Sequence, residues 1–402
     1  MNDHFNAAQS LIRPEVGRLP AYDPGSSPEH VAQQYGLSRI IKMSNNENPY
    51  GLSPAAAQAV QECLSSGLGR YPDPQGNALC GVLAERHGIG KDRIILGNGS
   101  ENLLELLCQA FLNAGDLVVT QAPCFSLYEI FALMMGARVS KVALNADFSC
   151  NLPAWCDALA QPVKLILISN PCNPVGSAFS WQTLEAIVRA CPTDSLLVID
   201  EAYFEYAIGH PDYPDALQVL AKQRRPWIVL RTFSKAHGLA SLRVGYGIAS
   251  DAHVVDALHR VRTPYNVNLL AQEAAIAALT DTAHLQKSVG LISRERIRLS
   301  TALQEMGYRV APSLTNFLFI DTAQDALQVV ERLLSEGIIV KAWREPDYQH
   351  FIRASLSLPE DNDAFLRALS RLQKHSPGAR PDESPPRPNE AKTANDSGRS
   401  SP

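Results

Sequence analysis

The segment RTFSKAHGLASLR (residues 231–243) sets Lys235 directly after Ser234, three residues after Thr232 and eight before Arg243. It follows the aliphatic run PWIVL, so the lysine leaves a buried strand rather than a solvated face. Lysine is among the residues least often buried, because an ammonium is costly to desolvate unless it is paired or used chemically. A lysine that merely reaches out to water from a strand end has no chemistry to do. One held among cations keeps a neutral amine and can attack an aldehyde. Ser234 and Arg243 favour the second reading, since a hydroxyl and a forked guanidinium suit a bound phosphate. GNGSENLL (residues 97–104) adds a small-residue turn, Gly99–Ser100–Glu101, that opens a helix whose free N–H groups attract an anion.

Four further positions complete a pocket. Asp200 ends the run LLVID and is placed to accept from a protonated pyridine nitrogen, keeping an electron sink charged. Asn173 and Tyr203 are candidate donors to a phenolic oxygen, and Phe125 is a candidate platform for a ring. Amine, phosphate clamp, pyridinium partner, phenolate donors and aromatic face together describe a site for pyridoxal phosphate.

These residues sit where a parallel sheet would bring them together. The runs DLVVT, ARVSKV, VKLILIS, LLVID and WIVL are short, β-branched and bounded by turn residues. Helical patterns such as ENLLELLCQAF and WQTLEAIVRAC alternate with them, which predicts a mostly parallel sheet covered on both faces. Ligands in such sheets bind beyond the carboxyl ends of the strands. SNPCNPVG, DEAY and TFSK each follow an apolar run and are therefore expected to converge. After residue 251 the pattern changes to long helices, notably over residues 268–305, with strands near NFLFID and GIIVKAW and a final helix over residues 362–374. That pattern predicts a second, smaller lobe. Residues 376–402 hold no aliphatic side chain larger than alanine and are expected to be disordered.

Composition excludes several classes. The 402 residues carry a net charge of −5, which leaves no basic footprint for nucleic acid. No apolar run reaches the roughly 20 residues that span a bilayer. The eight cysteines form no CxxC, which fits reduced, mostly packed thiols in a cytosolic protein rather than a disulfide framework.

From residue 12 to residue 372 the chain resembles the histidinol-phosphate aminotransferase branch of the fold-type I pyridoxal-phosphate enzymes. The resemblance is carried by IRPEVGRLPAYDPG, SNNENPYG, RYPDPQG, GNGSEN, APCFSLY, SNPCNPVG, VIDEAYFEYA, RTFSKAHGLASLRVGYG and FIRASLSLPEDN. It implies an α/β fold with a large cofactor-binding domain over residues 49–262, holding a mostly parallel sheet between helices. A smaller α/β domain over residues 263–375, with an N-terminal arm and part of the small domain over residues 1–48, completes it. It implies that Lys235 attaches the cofactor and moves the proton, that Asp200 pairs with the ring nitrogen, and that Asn173 and Tyr203 bind the ring hydroxyl. Ser234, Arg243 and the backbone of Gly99, Ser100 and Glu101 would hold the phosphate, and Phe125 stands where relatives often stack a tyrosine. Tyr71 matches a tyrosine that reaches the neighbouring subunit's site, so a homodimer is implied. Tyr22, Asn48, Lys341 and Arg353 fall at substrate-binding positions.

The implied reaction moves an amino group from L-histidinol phosphate to 2-oxoglutarate, giving imidazole acetol phosphate and L-glutamate, a step of histidine biosynthesis. Aromatic amino-acid transamination and a specialised reaction of secondary metabolism are the alternatives within the fold, with threonine-phosphate decarboxylation and a non-catalytic regulator further off. Two departures stand out. Val175 replaces the threonine of the NPTG-like turn, and RASLSLPEDN replaces a glycine-containing segment, a change expected to reshape the pocket wall.

Overall fold

The computed structural model describes residues 10–374, so the tail expected to be disordered lies outside the described residues. Its strands are β1 (Ile41–Lys42), β2 (Ile94–Gly97), β3 (Leu117–Ala122), β4 (Arg138–Ala143), β5 (Leu165–Ser169), β6 (Leu196–Asp200) and β7 (Trp227–Thr232). There follow β8 (Gly245–Ala249), β9 (Arg309–Val310), β10 (Phe317–Asp321), β11 (Ile338–Ile339), β12 (Lys341–Ala342) and β13 (Phe351–Ser355). Seven of them form one sheet in the order β2-β8-β7-β6-β5-β3-β4, with β8 antiparallel to both its neighbours and the rest parallel. Both faces of this sheet are dry. Leu165 and Leu167 turn into a core shared with the helices Ser100–Phe111 and Ala252–Val261, while Ile166 and Ile168 turn into another shared with Trp181–Ala190 and Leu269–Thr280. The two-residue strand period thus accounts for unbroken aliphatic runs in a sheet covered on both sides.

A second sheet, β12-β13-β10-β9, is antiparallel throughout, and β1 pairs in parallel with β11. The strands near NFLFID and GIIVKAW do not pair with each other as neighbours. FIRAS forms β13 between them, a strand that period and composition leave unmarked because all five of its residues are buried.

The helical region after residue 268 is divided. Asp281 accepts from the backbone N–H of His284 and caps a new helix, Thr282–Glu305, ending the first at Thr280. Leu269–Thr280 buries Ala271, Ala274, Ala275 and Ala278 in a core of the seven-stranded sheet, whereas Ile292, Leu299 and Leu303 join the core of the smaller sheet. Alanines on several faces of Leu269–Thr280 let it lie close against neighbouring helices of the larger body.

Candidate active site

The ends of β5, β6 and β7 open into a cavity of about 510 Å³, lined among others by Ser169, Asn173, Asp200, Tyr203, Thr232, Ser234 and Lys235. The three polar clusters meet because their strands are neighbours in register. Phe125, Ser100, Glu101, Arg243, Tyr22, Lys341 and Arg353 line the same cavity.

Its floor is Asp200. The carboxylate is almost fully buried, with Oδ2 accepting from the Tyr128 hydroxyl at 2.8 Å and Oδ1 from the Ala202 N–H at 3.0 Å. Burial pushes its pKa up to about 6, against the lowering effect of those two donors. Because the folded pKa lies above the ordinary carboxyl value of 3.8, the stability associated with the neutral carboxyl is full below about pH 4 and lost as pH rises through about 6. Replacing Asp200 by Asn in cofactor-free protein should therefore help more at pH 8 than at pH 4. The gain between those conditions should be roughly 3 kcal/mol, from a shift of about two pKa units. Urea unfolding of both proteins at the two pH values measures it, and a pH-independent difference would contradict the assigned burial cost.

Lys235 lies half-buried, and its Nζ donates to the Asn45 carbonyl at 3.0 Å. Burial first, and then the Arg353 charge, bring its pKa down from 10.5 to about 8. A usable fraction of neutral amine follows at neutral pH.

One end of the cavity is built for an anion. The helix Ser100–Phe111 begins after Gly99 with no side-chain cap, leaving its first N–H groups without a capping oxygen. Ser234 Oγ and Arg243 converge there, with Arg243 Nη1 donating to Ser234 Oγ at 3.4 Å and to the Ala240 carbonyl at 3.1 Å. Gly99 has φ +77°, and a Cβ on it would sit 2.5 Å from Arg243 Nη2. A Cβ on Gly245 would come 2.5 Å from the Ser100 nitrogen. Both positions require glycine for the backbone and the guanidinium to approach this closely.

The opposite end carries Arg353 and Lys341. These face each other directly in the β12–β13 register, so their side chains share one side of the sheet. Arg353 is buried, donating from Nη1 to Asn173 Oδ1 at 2.6 Å and from Nη2 to the Ser44 carbonyl at 2.5 Å, while its Nε is buried without a partner. Its bonded partners are neutral oxygens, and desolvation lowers its pKa. Lys341 forms an ion pair with Asp23 at 3.1 Å, shared with Arg344 at 3.5 Å. Tyr22, half-exposed beside Asp23, stands at the mouth.

Two expectations are adjusted. Asn48 does not line the cavity; its amide nitrogen donates to the Ala236 carbonyl at 2.9 Å and to Ser288 Oγ at 2.8 Å, which ties the segment to the body. Asn46, two residues earlier, faces the cavity instead. Ser357, which replaces the glycine of the substrate segment, turns away from the cavity and bonds Asp361 and Asn362 at the start of the helix Pro359–Lys374, so this departure does not form the pocket wall. Tyr71 lies outside its own chain's cavity, 80% exposed and stacked on Tyr265 at 4.5 Å between ring centroids.

The sequence reading also passed over Tyr128, Asn46, Lys141 and Glu345. Tyr128 lies in the first turn of the helix Ser126–Met134, three residues after its N-cap Phe125 and with the two ring centroids 5.9 Å apart, but nothing in APCFSLY marks it as the partner of a distant aspartate. Glu345 accepts from the Cys124 N–H at 3.1 Å and from Trp343 Nε1 at 2.8 Å, and its other oxygen bonds Lys141 at 2.7 Å. It joins the loop before Phe125 to the segment carrying Lys341, a contact that no local pattern reveals.

The model of the aminotransferase class I and II family matches residues 38–369. The chain belongs to the class I and II aminotransferases. Among curated aminotransferases, histidinol-phosphate aminotransferase 1 of Mesorhizobium japonicum is 46% identical over 368 residues, covering 92% of this chain and all of that one. Histidinol-phosphate aminotransferase 3 of Rhizobium meliloti is 44% identical over 362 residues, 90% of this chain and 97% of the relative. The histidinol-phosphate aminotransferase of Sinorhizobium meliloti, solved in complex with pyridoxal-5'-phosphate, superposes with a TM-score of 0.83 at 28% identity, covering 91% of this chain and 98% of that one. Among the described residues of this aminotransferase no helix is long and apolar enough to cross a membrane.

Proposed function

We propose that the chain transfers an amino group from L-histidinol phosphate to 2-oxoglutarate with pyridoxal phosphate as cofactor. The observation that carries this reading is the cross-strand pair Lys341 and Arg353 on the cavity wall. Like charges directly opposite on neighbouring strands repel, and a buried guanidinium bonded only to neutral oxygens is costly. An anionic substrate group relieves both. The donor would present a phosphate there in one half-reaction and 2-oxoglutarate a carboxylate in the other.

The residues fit the cofactor. The uncapped helix start, Ser234 and Arg243 would hold its phosphate, Phe125 its ring face, Asn173 and Tyr203 its ring oxygen, and Asp200 its nitrogen. A carboxylate held near pKa 6 by burial ionises readily beside a cation, so a protonated ring nitrogen and Asp200 would stabilise each other. When bound, pyridoxal phosphate supplies an aldehyde carbon and a ring that accepts electron density from the substrate's α-carbon. Lys235, once its amine is free and neutral, takes the proton from that carbon and returns it at the neighbouring position. Arg353 and Lys341 fix the substrate's anionic end, which sets the α-carbon within reach of Lys235.

The eight cysteines are unpaired and six of them are buried, and burial raises the thiol pKa of Cys80, Cys108, Cys172 and Cys191, which supports reduced, mostly packed thiols in the cytoplasm. An exposed Tyr71 outside its own cavity supports a homodimer in which it completes the neighbour's site.

The substrate is tested by single-turnover spectroscopy of the loaded enzyme with histidinol phosphate, histidinol, phenylalanine and glutamate. Histidinol phosphate should react about 10- to 100-fold more efficiently than histidinol, the worth of one charge-assisted contact. Conversion by phenylalanine but not by histidinol phosphate would instead assign an aromatic donor.

A further inference from the structure

Asn46 is a left-handed residue, φ +56°, buried to 1% exposure at the cavity edge. A non-glycine residue held there stores strain, and its surroundings must over-determine it. Each of its polar groups is engaged. Its backbone N–H donates to Ser355 Oγ at 2.8 Å, and its carbonyl accepts from Asn316 Nδ2 at 2.9 Å. Its side-chain oxygen accepts from Ser355 Oγ at 3.0 Å, and its side-chain nitrogen donates to the Tyr203 hydroxyl at 2.8 Å.

These four contacts form one consistent set of donors and acceptors. A backbone N–H can only donate, so Ser355 Oγ is an acceptor there and keeps its own proton for another partner. The structure gives that proton to Asn46 Oδ1, which turns the amide NH₂ toward Tyr203. The oxygen of Tyr203 is thereby an acceptor, and its own proton is left to point elsewhere. Tyr203 lines the cavity, so the direction left open is toward a ligand.

We infer that Asn46 is a positioning residue that forces Tyr203 to act as a hydrogen-bond donor toward the ring oxygen of the bound cofactor. This rests on the pyridoxal-phosphate reading above. Burial first, with the Asn46 bond opposing it, holds the Tyr203 pKa at about 12, so the hydroxyl keeps its proton throughout the working range. Donation to an ionised ring oxygen favours the charged form and lowers the pH at which the bound cofactor titrates. Polarisation by the Asn46 amide strengthens that donation.

The test is an absorbance titration of the cofactor bound through Lys235, which needs no substrate and no turnover. Asn46→Asp substitutes an acceptor of the same shape, and the Tyr203 proton turns back to it. The midpoint should rise by about one to two pH units, the worth of a hydrogen bond to a charged group. Tyr203→Phe should raise it by a similar amount, and adding Asn46→Asp to Tyr203→Phe should produce no further change. A shift that persists in the Phe background would mean that the new charge acts directly on the cofactor, and the relay would be refuted. An unmoved midpoint in the cofactor-loaded Asp variant would refute it equally. Should that variant not fold, Asn46→Gly suits the left-handed backbone; a smaller upward shift supports the inference and no shift overturns it. A wild-type protein that takes up no pyridoxal phosphate on Lys235 would instead overturn the cofactor reading itself, a separate result.

Discussion

Lys235→Ala should eliminate measurable transamination, with proton transfer alone accounting for about 10²- to 10⁴-fold and loss of covalent attachment adding to it. Borohydride should fix the cofactor on Lys235 in the native protein and leave no adduct in the variant, as read by peptide mass mapping. An adduct on another lysine would move the whole site. In cofactor-free protein, uptake of pyridoxal phosphate should accelerate with pH around a midpoint of about 8, because burial and Arg353 lower the amine's pKa and only its neutral form attacks. The same variant addresses assembly. Mixed with an inactive Tyr71 variant under conditions of subunit exchange, it should regain part of the activity, since one site of the hybrid would hold both an intact Lys235 and an intact Tyr71. No recovery despite exchange would remove Tyr71 from the neighbour's site.

Residues whose role follows from their own strand were legible in the sequence. Ser169, Asp200 and Thr232 end three adjacent strands, so reading VKLILIS, LLVID and WIVLRT as parallel strands was enough to bring SNPCNPVG, DEAY and TFSK together. Where chemistry depends on a partner distant in the chain, the reading stopped. Tyr128 and Asp200 are 72 positions apart, and Asn46 and Ser355 are 309 apart. In SNNENPYG three asparagines compete for the cavity, and hydrogen bonding to Ala236 and Ser288 draws Asn48 into the body while Ser355 and Asn316 hold Asn46 at the edge. The smaller sheet was legible only in part, because β13 is buried throughout and shows no alternation to identify it. The helix break at Asp281 was hidden by apolar spacing that continues across it, although aspartate is a good cap.

Arg353→Ala should damage both half-reactions, and this is the result that most sharply separates a shared anion subsite from a site that serves one substrate. Arg353 is buried, with one unpartnered nitrogen and two others on Asn173 and on the Ser44 carbonyl. An anion arriving beside it gains charge-assisted bonds without the protein having to gather the guanidinium from water. Removing one partner of such a contact costs about 2–5 kcal/mol, or roughly 30- to 5,000-fold in kcat/KM. The loss should appear with histidinol phosphate and with 2-oxoglutarate alike. Arg353→Lys should recover little of it, because a compact ammonium lacks the planar fork that spans the Asn173 and Ser44 oxygens while presenting a further nitrogen to the substrate. Lys341→Ala, which removes a cation already paired with Asp23, should cost less and fall more heavily on the phosphate donor, whose second negative charge has the most to gain from a second cation. The measurement is the rate of each half-reaction followed separately through the cofactor's absorbance. A large loss confined to 2-oxoglutarate would place the donor's phosphate elsewhere in the cavity, and the register pairing of Lys341 with Arg353 would then serve the acceptor alone.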